Sequence, residues 1–324
     1  MTVGAVTRQF QEEQRRAASQ AAAQVLASWR MIDTDNIIES WADALPTVTA
    51  RVAEAQRSAA SAGAAYTGKV VSAQGAEPQP AGRVSVSQLA GVASDGRPLD
   101  TLLALPARQT VRRIGDGMTA SEALAIGRRR VGMLAVTQVA DAGRQASSIA
   151  MAADRAVGGY RRQISPPACS RCAILAGAFY RWNAGFQRHP SCQCVHVPAV
   201  GPKADLDGLE TFDPKAYFNS LDRAEQDRVF TAAGAEAIRD GANIGQVVNA
   251  RRGMTSTTAY GRTVSSTRTG MSRRQSSARR AIRATDQREG LGAIRLMPEQ
   301  IYLDANGNRD EAIRLLARFG YLEG

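Results

Sequence analysis

The sequence predicts a mainly α fold. An N-terminal helical layer leads into a small α+β module rich in cysteine and histidine, followed by a basic flexible arm and a short helical tail. Three observations carry that prediction. Apolar residues recur at helical spacing through an alanine-rich first half. All 4 cysteines and both histidines fall between Cys169 and His196. The stretch from Arg251 to Gly290 is rich in Ser, Thr, Arg and Gly and nearly free of large apolar groups. The expected regions are 1–118, with a loop at 67–96, then 119–250, 251–290 and 291–324.

A chain of 324 residues buries a real core and has room for two domains. Aromatics at 5% are sparse, so the helices are expected to pack closely through small side chains rather than around a thick core. The net charge of +11 is almost entirely arginine, since Lys69, Lys203 and Lys215 are the only lysines. Met1–Arg30 has no apolar core of a secretory signal and carries Glu12, Glu13 and Arg15. No uninterrupted apolar run reaches membrane-spanning length. The expectation is a chain made and kept in a cytosol, with reduced thiols rather than two disulfides.

Taken in order, residues 6–30 form an amphipathic helix with Phe10, Ala17, Ala21, Val25 and Trp29 on one face. Asp33 or Thr34 caps a second helix, whose stripe is Ile37/Ile38, Trp41, Leu45, Val48, Val52 and Ala55. Pro46 is expected to kink or split it. Residues 67–96 hold scattered Gly and Pro and read as a loop with one short strand. Asp100–Ile114 reads as helix broken at Pro106. Thr119 and Glu122 make a capping box for a long helix reaching about Ala156, with Leu124, Val131, Ala135, Val139, Ala142 and Ile149 inward. Gly127, Gly132 and Gly143 lie along it at about 1 kcal/mol each against Ala, so close approach of another helix is the expected compensation.

Tyr160–Ile164 reads as a strand, and Cys169–Ala176 as a turn and short helix. Phe179–Trp182 and Cys192–Pro198 are expected to pair as an antiparallel ribbon, marginal by itself. Residues 199–219 read as loop. Ser220 caps a helix reaching Gly234 or beyond, Gly241 stops it, and Ile244–Ala250 adds another short helix. Such a Gly-joined pair is common in helical proteins and does not by itself make a DNA reader. Pro298 starts a short helix, Glu299–Asp304. Asn308 caps Arg309–Arg318, and Gly320 stops it. This tail is expected to dock on a partner or on the module core.

The chemistry concentrates in CSRCAILAGAFYRWNAGFQRHPSCQCVH, residues 169–196. A C-x-x-C pair followed by a second cluster is a usual way to supply four ligands to a structural zinc. In an extended strand Cys192, Cys194 and His196 share one face, and Gln193, Val195 and Val197 the other. The preferred ligands are Cys169, Cys172, His189 and Cys192, with Cys194 as the substitute. His196 reads as a satisfied histidine rather than a fifth ligand. Two other readings stay open: a metal-free cluster packing as small apolar groups, and redox or nucleophilic cysteine chemistry.

The arm offers Arg251, Arg252, Arg262, Arg268, Arg273, Arg274, Arg279, Arg280, Arg283 and Arg288 against only Asp286 and Glu289. Such a segment attracts phosphate without reading sequence, by counterion release. The bland alternative is a solvated linker in an arginine-biased proteome.

Pro167, Cys169, Arg171, Cys172, Gly177, Trp182, Asn183, Gly185, Phe186, His189, Pro190, Cys192, Cys194 and Pro198 stand in an order that resembles the carboxy-terminal module of the phage Mu F-like minor head proteins. The form found in phages of actinobacteria is the nearest. The resemblance continues through Glu225–Met254 and Leu296–Leu322, and so covers about residues 120–322. It implies a minor capsid, or head morphogenesis, protein of a tailed phage. Such a protein lies inside the virion head beside the portal, contacts the major capsid or scaffold protein and packaged DNA, and acts in head assembly or DNA delivery. Related chains are also labelled capsid maturation proteases. No G-x-S-x-G elbow or H-E-x-x-H helix is present, and His189 and His196 are the only histidines, so a histidine-based protease rests on a pair such as Cys192/His189. A thiol redox role for Cys169-x-x-Cys172 lacks the parallel-sheet pattern such folds use.

Overall fold

Four long helices occupy the first half of the chain in this computed structural model, which describes residues 1–164, 167–184, 192, 194–209, 212–259, 262–267, 269 and 295–322. They are α1 (Val3–Trp29), α2 (Ile37–Ala73), α3 (Leu99–Gly115) and α4 (Ala120–Ala153). The Thr2 hydroxyl accepts the Ala5 amide at the start of α1, and the Thr119 hydroxyl accepts the Glu122 amide at the start of α4. The chain divides into two units: Met1–Ser165 with Gly177–Thr211, and Pro166–Ala176 with Phe212–Gly324. The division falls inside the stretch 119–250 that the sequence grouped together, and it places the tail in the second unit.

In the first unit the expected stripes face inward. Trp29 and Trp41 meet edge to face with ring centroids 4.9 Å apart. Each indole donates to a neighbouring helix, Trp29 to the Leu124 carbonyl at 3.2 Å and Trp41 to that of Leu103 at 2.9 Å. Phe10 stacks on Tyr66 at 4.2 Å, and the Tyr66 hydroxyl bonds Thr7 at 2.9 Å. The α4 glycines do what their cost requires. A Cβ on Gly127 would lie 2.4 Å from Trp29, and one on Gly143 would lie 2.1 Å from Gln14 Oε1. From the facing helix, a Cβ on Gly63 of α2 would lie 2.1 Å from the Gly143 carbonyl oxygen.

Several expectations are corrected. Pro46 does not split α2, which runs unbroken past it. Pro46 and Ala42 are exposed, so the carbonyl that loses its donor faces water. Pro106 likewise sits within an unbroken α3. Ile149 is exposed, because the inward positions here are Ala146, Ser147 and Met151 and Ile149 falls on the opposite side of α4. The loop after α2 holds a single 3-10 turn, Val86–Leu89, instead of a strand.

The ribbon is also redrawn. β1 (Gly159–Gln163) is the central strand, and β2 (Phe179–Arg181) and β3 (Val195–Ala199) pair with its two edges, antiparallel, rather than with each other. Tyr160 stands opposite both Tyr180 and Pro198, so β1 has both hydrogen-bonding edges satisfied. Val195 and Val197 of β3 join the core made by Val3, Val6, Phe10, Tyr66 and Val70.

The second unit is built from short helices: α5 (Ser170–Leu175), α6 (Pro214–Ser220), α7 (Arg223–Phe230), α8 (Ala232–Arg239), α9 (Ile244–Ala250), α10 (Pro298–Ala305) and α11 (Arg309–Arg318). Ser220 ends α6 instead of capping the next helix. The stronger signal is two residues on, where Asp222 and Glu225 form a capping box. The predicted long helix breaks at Thr231, whose φ of 69° separates α7 from α8. Part of the expected flexible arm is ordered as well. β4 (Met254–Ala259) and β5 (Arg262–Thr267) pair as a hairpin, and β6 (Arg295–Leu296) joins β5. Alternation of Thr and Ser with few large side chains still suits a strand when one residue, here Val264, reaches the core. Arg295 is fully buried. Its guanidinium donates to the carbonyls of Phe319 at 2.8 Å, Thr269 at 3.1 Å and Gly320 at 3.1 Å, and lies 3.8 Å over the Tyr321 ring. Burial lowers the Arg295 pKa from its ordinary value and pushes that of Tyr321 up to about 12.

Gly63→Ala is expected to lower stability by about 1–3 kcal/mol, because a methyl must displace the backbone of α4. Gly82→Ala, with nothing within 4 Å of the added carbon, serves as the neutral control. Urea denaturation followed by circular dichroism compares the two. Equal midpoints would contradict the close approach.

Candidate metal centre

Three of the predicted sulfur donors converge. The Sγ atoms of Cys172, Cys192 and Cys194 all lie within 4.8 Å of one another, and the three residues are buried. That is close enough to bind one metal ion, since sulfurs held at about 2.3 Å from a tetrahedral ion sit roughly 3.8 Å apart. All four cysteines are thiols, with no disulfide among the described residues.

The sulfur group overlaps the preferred ligand set without matching it. Cys169 stands outside the group. Its Sγ caps α5 by accepting the Cys172 amide at 3.3 Å, so the C-x-x-C pair is a knuckle with one sulfur turned to its own backbone. Cys194, the substitute in the sequence reading, takes its place. β3 begins only at Val195, so strand alternation does not govern the two cysteines before it. His189 lies outside the described residues. His196 is held elsewhere, with Nδ1 3.1 Å from Ser148 Oγ on α4 and its ring 4.5 Å from that of Tyr160.

Two arginines that sequence reasoning missed touch the cysteines. Arg162, the fourth residue of β1, donates to Cys194 Sγ at 3.5 Å. Arg144 of α4 donates to the Cys192 carbonyl at 2.6 Å and pairs with Asp141 at 2.7 Å. Asp141 also accepts the Ser94 hydroxyl at 2.8 Å, and the Ser94 amide donates to Gln138 at 2.7 Å. The available signal was placement: Gln138, Asp141 and Arg144 fall among the small and apolar residues of the inward face of α4. A charge there needs a partner. The outer groups of a metal site hold its ligands in this manner.

The Ser148–His196 contact does not make a hydrolytic centre. Ser148 is inside α4, where backbone N–H groups are taken up by the helix and none is left to receive an oxyanion.

The basic stretch is only partly described. Arg251 bonds the Thr231 hydroxyl at 2.6 Å and pairs with Glu299, and Arg262 pairs with Asp304 at 2.7 Å. These two therefore tie the hairpin region to α10, with Arg262 still half exposed. Arg252 is exposed. Arg268, Arg273, Arg274, Arg279, Arg280, Arg283 and Arg288 lie outside the described residues. Among the described residues no helix is long and apolar enough to cross a membrane. No family model, curated protein or solved structure matches the chain.

Arg144→Met is expected to cost about 3–5 kcal/mol, since it strands Asp141 inside the protein and removes the donor to Cys192. Differential scanning calorimetry reads the loss. An Asp141→Asn, Arg144→Met double variant should recover part of it, and a single variant as stable as the parent would remove Arg144 from this role.

Proposed function

We propose that this chain is a minor capsid protein of a tailed phage, acting in head morphogenesis beside the portal, with a structural zinc in its cysteine-rich module. The observation that carries the reading is the convergence of Cys172, Cys192 and Cys194 within a stretch whose residue order resembles the Mu F-like minor head proteins. Cys169 or His189 supplies the fourth ligand. Zinc suits the donor set because thiolates select it and it needs no redox chemistry to hold a fold. Its ligands come from separate elements, so metal binding energy adds directly to folding energy.

In this reading the protein is made in the host cytoplasm and ends inside the virion head. Its partners are the portal protein, the major capsid or scaffold protein, and packaged DNA. The basic stretch from Arg252 to Arg288 supplies the DNA contact through phosphate charge alone. The role is structural rather than enzymatic. A capsid maturation protease is the second reading, and no arrangement of nucleophile, base and oxyanion donors among the described residues favours it.

Elemental analysis of the purified chain should give near-stoichiometric zinc, lost in Cys172→Ser and in Cys192→Ser. Comparing Cys169→Ser with His189→Ala identifies the fourth ligand. A metal-free parent with unchanged protease resistance would overturn the zinc. Capture from assembling heads should recover portal or major capsid protein, and recovery of neither would overturn the head assignment. Changing Arg273, Arg274, Arg279, Arg280 and Arg283 to Gln should weaken duplex DNA binding. The slope of log affinity against log salt should flatten by about 0.9 for each phosphate that is no longer neutralised.

A further inference from the structure

The seam between α1 and α4 is open on one side. Near its middle lies a groove of about 450 Å³, floored by Ala22, Leu26, Ala125, Gly132, Met133 and Val136 and rimmed by Arg128 and Arg129. A second, smaller pocket of about 60 Å³ continues along the same seam and shares Val136. Gln11, Gln14, Arg15 and Arg144 line it. Together they follow α4 from Ala125 to Arg144, a rise of roughly 28 Å. Arginines edge this furrow, and among the described residues no carboxylate lines either part of it.

Its narrow end carries an independent sign of a missing partner. Gln11 and Gln14 are 6% and 7% exposed. Gln14 donates to the Ala59 carbonyl at 3.0 Å, yet its Oε1 has no hydrogen-bond partner among the described residues, and neither does Gln11 Nε2. A buried donor and a buried acceptor left open each cost about 1–3 kcal/mol. Both side chains line the narrow pocket while the open atoms themselves are covered by the chain, so a carboxamide, which offers one donor and one acceptor, meets them when the two side chains turn toward the pocket.

We infer that this furrow receives an amphipathic helix of a partner protein, apolar on the buried side, acidic along its flank and carrying Gln or Asn at one end. An apolar floor of Ala, Gly, Leu, Met and Val fits a helix face laid between two helices. It gives nothing to a phosphate backbone, which would have to leave water to enter. The arginine rim steers an acidic flank and rejects a basic one. The inference rests on α1 and α4, with Cys192 and Val195 closing the narrow pocket, and it does not depend on the phage assignment.

The probe is a fluorescein-labelled peptide of about eighteen residues with a Leu/Ala stripe, Glu on both flanks and a terminal Gln, matched to the furrow length. Fluorescence anisotropy with the full chain should show binding. Arg128→Glu with Arg129→Glu should weaken it about tenfold, as should Met133→Lys. Gln11→Leu should weaken it about fivefold, the effect of one buried hydrogen bond. A peptide with Lys in place of Glu should not bind. Circular dichroism verifies that each variant keeps its helices. No binding of the Glu peptide up to about 1 mM, or binding indifferent to all these substitutions, overturns the inference. So does duplex DNA binding that the Arg128/Arg129 reversal abolishes while the peptide fails. Self-association lost in Met133→Lys, seen by light scattering, would instead assign the furrow to a second copy of the chain.

Discussion

Close approach of α4 to α1 and α2 is the constraint on which the first unit depends. Gly63, Gly127 and Gly143 each stand where a methyl group would collide with backbone or with a large side chain. Sparse aromatics leave little bulk to fill a wide gap, so the helices come together until small residues touch. The few large rings are then placed where they do double service. Trp29 and Trp41 fill the core and also satisfy carbonyls on neighbouring helices through their indole N–H groups. Packing of this kind trades thickness for contact, with dispersion between close surfaces replacing the burial of bulky side chains.

Once α4 is fixed, it positions more than apolar surface. Arg144 reaches from it to the Cys192 carbonyl, with Asp141 compensating its charge and Ser94 and Gln138 completing the set of hydrogen bonds. Ser148, one turn on, meets His196. The inner face of α4 thus holds both Cys192 and the strand that follows the cysteines. Arg162 adds a donor to Cys194 from the central strand. A sulfur cluster placed by guanidinium groups differs from a greasy core of thiols, where no charged group would be taken out of water for their sake.

Much of this was legible in the residues. Helical spacing located α1, α2 and α4, and Ile244–Ala250 came out with its observed bounds. Three glycines along one helix announced a close neighbour. What was missed shares a cause: the decisive information was tertiary. Pro46 is harmless because its side of α2 faces water, which no local pattern states. The strand order of the first sheet depends on which edge of β1 each later strand meets. The hairpin at residues 254–267 was hidden because Ser and Thr repeats read equally as linker or as strand. At the cysteines, composition identified the candidate donors, but which sulfurs gather was tertiary: Cys194 joins the group while Cys169 Sγ caps α5.

The environment of Arg295 has a consequence for how the second unit holds its last helix. Three carbonyls from two separate turns of chain converge on one planar group, with an aromatic ring beneath it. Lysine has no fork to span them, and an apolar residue would abandon all three oxygens. The final helix is therefore latched through main-chain atoms, so its own side chains could drift widely in identity while the fastening stayed the same.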